Sequence, residues 1–170
     1  MKNLILLLAS GLLILSCSQN KMAYIDVGQI MKEYEGMKAF NVEMEDETVQ
    51  LRKEIESLIE PYQADVEEYY KNVGGMSETQ KSATELALQE AQKAINEQQD
   101  KFMQQLEDHK LEGLEAINLE IADFVEDYAK SKSLQIVFGT LGTETVIYGS
   151  DKMDITEEVL TELNRLYRKE

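Results

Sequence analysis

Residues 51–80 read LRKEIESLIEPYQADVEEYYKNVGGMSETQ, and this stretch decides the fold. Leu51, Ile55, Leu58, Tyr62, Val66, Tyr69 and Val73 follow one another at steps of three and four residues. That spacing lays one apolar seam along a helix and does not fit the alternation of a strand. The seam stops at Gly74-Gly75, two poor helix formers. Ser77 then opens a second helix, with Gln80 three residues on in the capping-box pattern. The return helix carries Leu88, Ala91, Ile95, Phe102, Leu106, Leu114, Ile117, Ile121, Phe124 and Tyr128. Residues 36–132 therefore read as one long antiparallel helical hairpin, a coiled-coil arm with its tip near 74–76. As a helix, the outgoing limb from Met37 to Val73 would span about 55 Å.

The composition fits this reading. The chain has 170 residues, room for one domain, with no Trp and a single Pro, Pro61. A net charge of -16 argues against nucleic acid as a partner, because phosphate contacts need clustered Lys and Arg. It argues equally against adsorption to an anionic membrane surface. The lone cysteine excludes an intramolecular disulfide, and the lone histidine excludes most His-based catalytic and metal sites. The chain has no Gly-rich phosphate loop, paired-Cys motif or nucleophile elbow. The reading is a protein that is not an enzyme, with no cofactor, no metal and no catalytic residue. His109, between Asp108 and Lys110, is placed on a polar helix face.

Lys2 precedes an apolar run from Leu4 to Leu15 that is too short for a comfortable bilayer span and fits a signal peptide. The run ends Ile14-Leu15-Ser16-Cys17, which resembles the lipobox of bacterial lipoproteins. Residues 1–16 are then a lipoprotein signal peptide, Cys17 the acylated first residue, and residues 17–22 a tether. The competing reading is an ordinary signal peptide with a chance cysteine. Several acyl chains would anchor the protein stably, where one alone is marginal.

The remaining segments are short. Ala23 to Val27 alternates as a strand, and a helical pattern follows from Gly28 through Ile30, Met31 and Tyr34, interrupted at Glu35-Gly36. Leu134 to Phe138 reads as a second strand, Gly139 to Gly142 as a turn and Glu144 to Tyr148 as a third strand. Asp154 is the expected N-cap of a last helix, with Glu157 at the capping-box position. The fold class is α+β: a helical hairpin inserted into a small β-body, residues 23–35 and 133–170, with a C-terminal helix. A sheet this small is marginal alone and has open edges, so the body is expected to oligomerise.

On the arm, Pro61 is expected to kink the helix, as a tolerated bend or as a flex point. Pro61, Gly74 and Gly75 are the hinge and tip candidates. Tyr62, Tyr69, Tyr70, Met76, Phe102 and Met103 are the candidate contact residues for a partner. The neighbours Tyr69 and Tyr70 cannot both enter one seam, nor can Phe102 and Met103. Met and Tyr suit a surface that meets many sequences.

The chain ends carry a family pattern. The segment Ala23-Tyr24-Ile25-Asp26-Val27-Gly28-Gln29-Ile30 resembles the opening strand and helix of the Skp/OmpH family of periplasmic chaperones. Leu134 to Phe138, Val146-Ile147-Tyr148 and Asp154-Ile155-Thr156-Glu157-Glu158-Val159-Leu160 resemble its closing strands and helix. The resemblance implies a homotrimer with a central β-body and three arms around a cavity. It implies an ATP-independent holdase for unfolded outer-membrane β-barrel precursors on the periplasmic side of a bacterial envelope. On that reading Ile25, Val27, Ile136, Phe138, Val146 and Tyr148 form the oligomer body, and the candidate contact residues above touch clients. Two features depart from the best-known members. This chain is strongly acidic where they are basic, which puts lipopolysaccharide binding in question, and its lipobox implies an anchored form, here expected at the outer membrane. The alternative is a membrane-tethered structural or adaptor lipoprotein whose coiled coil binds one defined envelope partner.

Overall fold

A computed structural model describes residues 21–141 and 146–169. The expected signal peptide and Cys17 lie outside the described residues, as do Gly142 of the expected turn and Glu144 and Thr145 of the expected third strand; Gly139 and Thr140, expected in the turn, lie in a strand. The element order is β1 (Met22–Asp26), α1 (Val27–Glu33), α2 (Glu35–Asn72), a 3-10 turn (Val73–Gly75), α3 (Glu78–Lys132), β2 (Ile136–Thr140), a second 3-10 turn (Asp151–Met153) and α4 (Thr156–Tyr167). The chain divides into two compact units. One joins the residues up to Glu33 with those from Ile121 onward, and the other is Tyr34–Glu120.

In the first unit, β1 and β2 pair in parallel, with Met22 opposite Ile136 and Asp26 opposite Thr140. A parallel pair needs a long crossover, and the hairpin is that crossover. Thr140 Oγ1 donates to the carbonyl of Ile25 at 3.1 Å, tying the end of β2 to β1. Ala23 and Ile25 from β1, Ile30 from α1, and Val159, Leu160 and Leu163 from α4 are buried in this unit. Asp26 Oδ1 accepts from the amide of Gln29 at 3.0 Å and so caps α1.

The Asp154-Ile155-Thr156 segment carries the polar framework of this unit. Asp154 Oδ1 accepts from the amide of Thr156 at 2.9 Å and from its hydroxyl at 2.5 Å. Thr156 Oγ1 accepts in turn from the amide of Asp26 at 2.8 Å. Glu157 does not complete a capping box. Its carboxylate accepts from Gln29 Nε2 at 2.6 Å, so it joins α4 to α1.

The expected third strand is a correction. Val146, Ile147 and Tyr148 adopt no strand, and Ile147 and Tyr148 are 96% and 87% exposed. The free edge of β1 is instead taken by the approach to α4. Tyr24 bridges Asp154 in parallel, and the amide of Ile155 donates to the Tyr24 carbonyl at 3.0 Å. Both strands are also displaced from their expected limits. Val27 begins α1, and β2 starts only at Ile136, because Ser133 and Leu134 still close the C-terminus of α3. Ser133 takes a left-handed φ of 54° and donates to Lys130 O at 3.1 Å, while Leu134 donates to Ala129 O at 2.9 Å. That pair of bonds is a Schellman closure.

In the second unit the break before the hairpin falls at Tyr34, with φ -63° and ψ 128°, and not at Glu35-Gly36. Gly36 is already helical and lies under the Tyr34 ring, where a Cβ would stand 2.5 Å from a ring carbon. Helix α2 runs unbroken through Pro61. Proline removes one amide donor, and the side chains at Ser57 and Pro61 are exposed, so water can reach the freed carbonyl. At the tip, Ser77 N donates to Gln80 Oε1 at 2.9 Å and Gln80 N donates to Ser77 Oγ at 3.3 Å, completing the capping box. A Cβ on Gly74 or Gly75 would meet nothing, and neither has a left-handed φ. Their service is to end the helix, through low propensity, and not to fit a tight space.

Candidate functional site

The hairpin is the candidate interaction module, and its geometry begins with what holds it closed. The Tyr34 hydroxyl donates to Glu120 Oε1, and the Tyr69 hydroxyl donates to Glu85 Oε1. Between these links, His109 Nδ1 meets Glu47 Oε2 at 2.6 Å, and its Nε2 lies 3.8 Å from Glu43 Oε1. Phe40 packs edge-on against His109, with ring centroids 5.9 Å apart, and seats its ring tip on Gly113. Each step outward along α2 is matched by a step back along α3, the register of an antiparallel pair. Ile95, Phe102 and Ile117 supply buried seam positions on α3.

His109 is the position that apolar pattern reading missed. It was expected on a polar face, yet it follows Phe102 by seven residues, as Gly113 follows Leu106. The heptad step was the available signal, and a search restricted to apolar residues passes over it. The Glu47 hydrogen bond holds the imidazole pKa above its usual 6.5 against the opposing effect of desolvation, and the Glu47, Glu43 and Glu112 charges add to it. The Glu85 bond pushes the Tyr69 phenol up to about 12, with desolvation and nearby carboxylates as smaller causes.

Adjacent residues separate as the seam demands. Tyr69 is buried and Tyr70 is 72% exposed; Phe102 is buried and Met103 is 70% exposed. Of the six contact candidates, Tyr69 and Phe102 are thus committed to the hairpin itself, a correction to their expected role at a partner surface. Tyr62 and Met76 are half-buried. Of the body residues, Ile25 is buried, Val27 and Val146 are half-buried, and Ile136, Phe138 and Tyr148 are exposed. Other large apolar groups stand exposed on the hairpin, among them Val42, Val49, Leu86, Leu111 and Leu119.

Two open grooves flank the seam. One, of about 580 Å³, is lined by Met44, Thr48, Val49, Met103 and Leu106, with Glu45, Arg52, Glu107 and Lys110 at its rim. The other, of about 390 Å³, includes Leu58, Pro61, Tyr62, Ala91 and Ile95, with Asp65 as its one charge. Glu45, Val49 and Arg52 each follow a seam position, whereas Pro61 and Asp65 each precede one, so the grooves open on opposite faces of the helix pair. Among the described residues, no group of His, Cys, Asp and Glu could hold a metal ion, and no helix is long and apolar enough to cross a membrane.

The described residues thus form a charged helical hairpin joined to a two-stranded parallel sheet. The sequence matches the family described as "Outer membrane protein (OmpH-like)" over residues 21–163, and the chain belongs to that family. No curated protein matches it. The fold is similar to the crystal structure of a protein from Caulobacter crescentus assigned as an OmpH-like outer membrane chaperone. The TM-score is 0.78 at 12% sequence identity, over 88% of this chain and 86% of that one.

Proposed function

We propose that this protein is a non-enzymatic holdase that shields unfolded outer-membrane β-barrel precursors without ATP. The observation that carries the reading is membership of the OmpH-like family across most of the chain. The hairpin supplies the physical means. Its seam is closed by its own Tyr–Glu and His–Glu links, while Tyr70, Met103, Leu86 and Leu111 remain outside it among charges. Such groups make many weak contacts, and enclosing a client among several arms raises effective concentration without one tight site.

The enclosure requires self-association, and a homotrimer is proposed. The body, residues 23–35 and 133–170, would carry it, and the arm, residues 36–132, would receive the client. A two-stranded sheet is marginal in isolation. Ile136, Phe138 and Tyr148 leave apolar surface uncovered there, which further copies would bury. Acylation at Cys17 would hold the assembly at the envelope, at the outer membrane on this reading, and lipopolysaccharide is not proposed as a ligand.

The test uses the mature chain with Cys17→Ser, mixed with a urea-denatured β-barrel protein and diluted without nucleotide. Aggregation should be suppressed at about one trimer per client, and the mass in solution should be that of three chains. An unchanged aggregation curve at every salt concentration would sink the reading.

A further inference from the structure

The groove around Met103 is lined by two cations, Arg52 and Lys110, as well as two carboxylates. The chain carries 33 acidic and 17 basic residues. Lys71, Lys81, Lys93 and Lys130 are each paired with a carboxylate on their own helix. The side chains of Arg52 and Lys110 are not, and nor are those of Lys38, Lys53 and Lys101: among the described residues none of these forms an ion pair. Arg52 and Lys110 stand on the rim of the same groove, one on each helix. With Glu45 and Glu107 they make its rim neutral in formal charge, inside a strongly anionic protein. The antiparallel register sets Arg52 beside Met103 at one end and Lys110 beside Met44 at the other. The opposite groove has Asp65 and no cation.

We infer that this groove, floored by Met44, Val49, Met103 and Leu106 and ended by Arg52 and Lys110, docks an extended client segment that alternates apolar residues and carries carboxylates at its ends. The inference rests on the holdase reading and gives that function a site and a client chemistry. Residues 44 to 52 rise about 12 Å along the helix, the length of roughly four residues of extended chain. Alternate side chains of such a segment fall on one face and meet the thioethers, which adapt to differing shapes. Elsewhere on the arm an anionic segment is repelled within about a Debye length, some 8 Å at physiological salt. Arg52 and Lys110 offset that repulsion at the two ends of this groove and leave the end carboxylates of the segment facing opposite charge.

The test uses two fluorescein-labelled peptides with a Val-Thr-Val-Thr-Val centre, one flanked by Asp and one by Lys, read by anisotropy against the mature Cys17→Ser protein. The Asp-flanked peptide should bind about threefold more tightly, the size expected of solvent-exposed charge contacts. Arg52→Glu with Lys110→Glu should abolish or invert that preference, and Met103→Asp should weaken both peptides about tenfold. Met103 and both cations are exposed, so the helices should persist in each variant, which circular dichroism is to check. Equal binding of the two peptides, or a preference that survives the double charge reversal, overturns the groove assignment. If the same protein still suppresses barrel aggregation, the holdase reading stands without this groove; if it does not, the failure lies with the holdase reading.

Discussion

Gly113→Ala would ordinarily be a stabilising change. In a helix interior Ala is favoured over Gly by about 1 kcal/mol. Here the added Cβ would stand 2.2 and 2.3 Å from two atoms of the Phe40 ring, against ordinary contacts of 3.4–4 Å. The ring must move more than 1 Å or leave its place. Overpacking of this kind costs about 1–3 kcal/mol, and a ring that swings out also loses its edge contact with His109, about 0.5–1.5 kcal/mol. The clash exceeds the propensity gain, so Gly113→Ala should destabilise by about 1–2 kcal/mol. In a Phe40→Ala background the obstruction is gone, and Gly113→Ala should then stabilise by about 1 kcal/mol. The two substitutions should therefore couple by about 2–3 kcal/mol, large even for residues in contact. Urea denaturation followed by helix circular dichroism measures all four proteins, at one fixed protein concentration because association shifts apparent stability. A Gly113→Ala substitution that stabilises equally with and without Phe40 would refute the claim that this glycine exists to seat the ring.

Other outcomes follow from the same contacts. His109 has its folded pKa raised above the unfolded 6.5, so its stabilising contribution is complete below that value and is lost as pH rises through the folded pKa. Thermal unfolding should thus lose stability above pH 6.5 in the intact protein, less steeply at high salt because the ring is partly exposed, and His109→Gln should flatten the profile. A His109→Gln protein with an unaltered profile would show that the Glu47 contact does not persist in solution. Tyr34 is wholly buried, so Tyr34→Ala should cost about 3–5 kcal/mol in a denaturant titration, whereas Tyr34→Phe, which keeps the ring and loses the bond to Glu120, should cost about 1 kcal/mol. Ser133 holds a left-handed φ without being glycine, and Ser133→Gly should raise stability by about 0.5–1 kcal/mol; a drop in melting temperature would contradict the Schellman closure.

Much of the hairpin was open to reading because its signal is local. Steps of three and four residues, a Gly-Gly stop and a Ser77–Gln80 cap act within a few residues of chain, and helix physics has the same range. The contact candidates divided as helix geometry requires: of each adjacent aromatic pair or aromatic–thioether pair, one member entered the seam and the other faced outward. The polar seam at His109 was concealed because its partners, Glu43 and Glu47, lie more than sixty residues away on the other helix. Gly113 was concealed for the same reason, since a glycine in a helix reads as a defect until Phe40 is seen above it.

By itself the sequence determined the helical hairpin, its turn, its acidic surface and the family pattern at its ends. Only the tertiary structure decided the body: that β1 pairs with β2 in parallel, that the Asp154–Ile155 approach takes the other edge of β1, and that Val146 to Tyr148 remain outside the sheet. The reason is physical. A helix closes its hydrogen bonds within its own segment, whereas a strand's bonds go to whichever distant backbone reaches the edge first, and the alternation of Val146 to Tyr148 contains nothing about which competitor that will be.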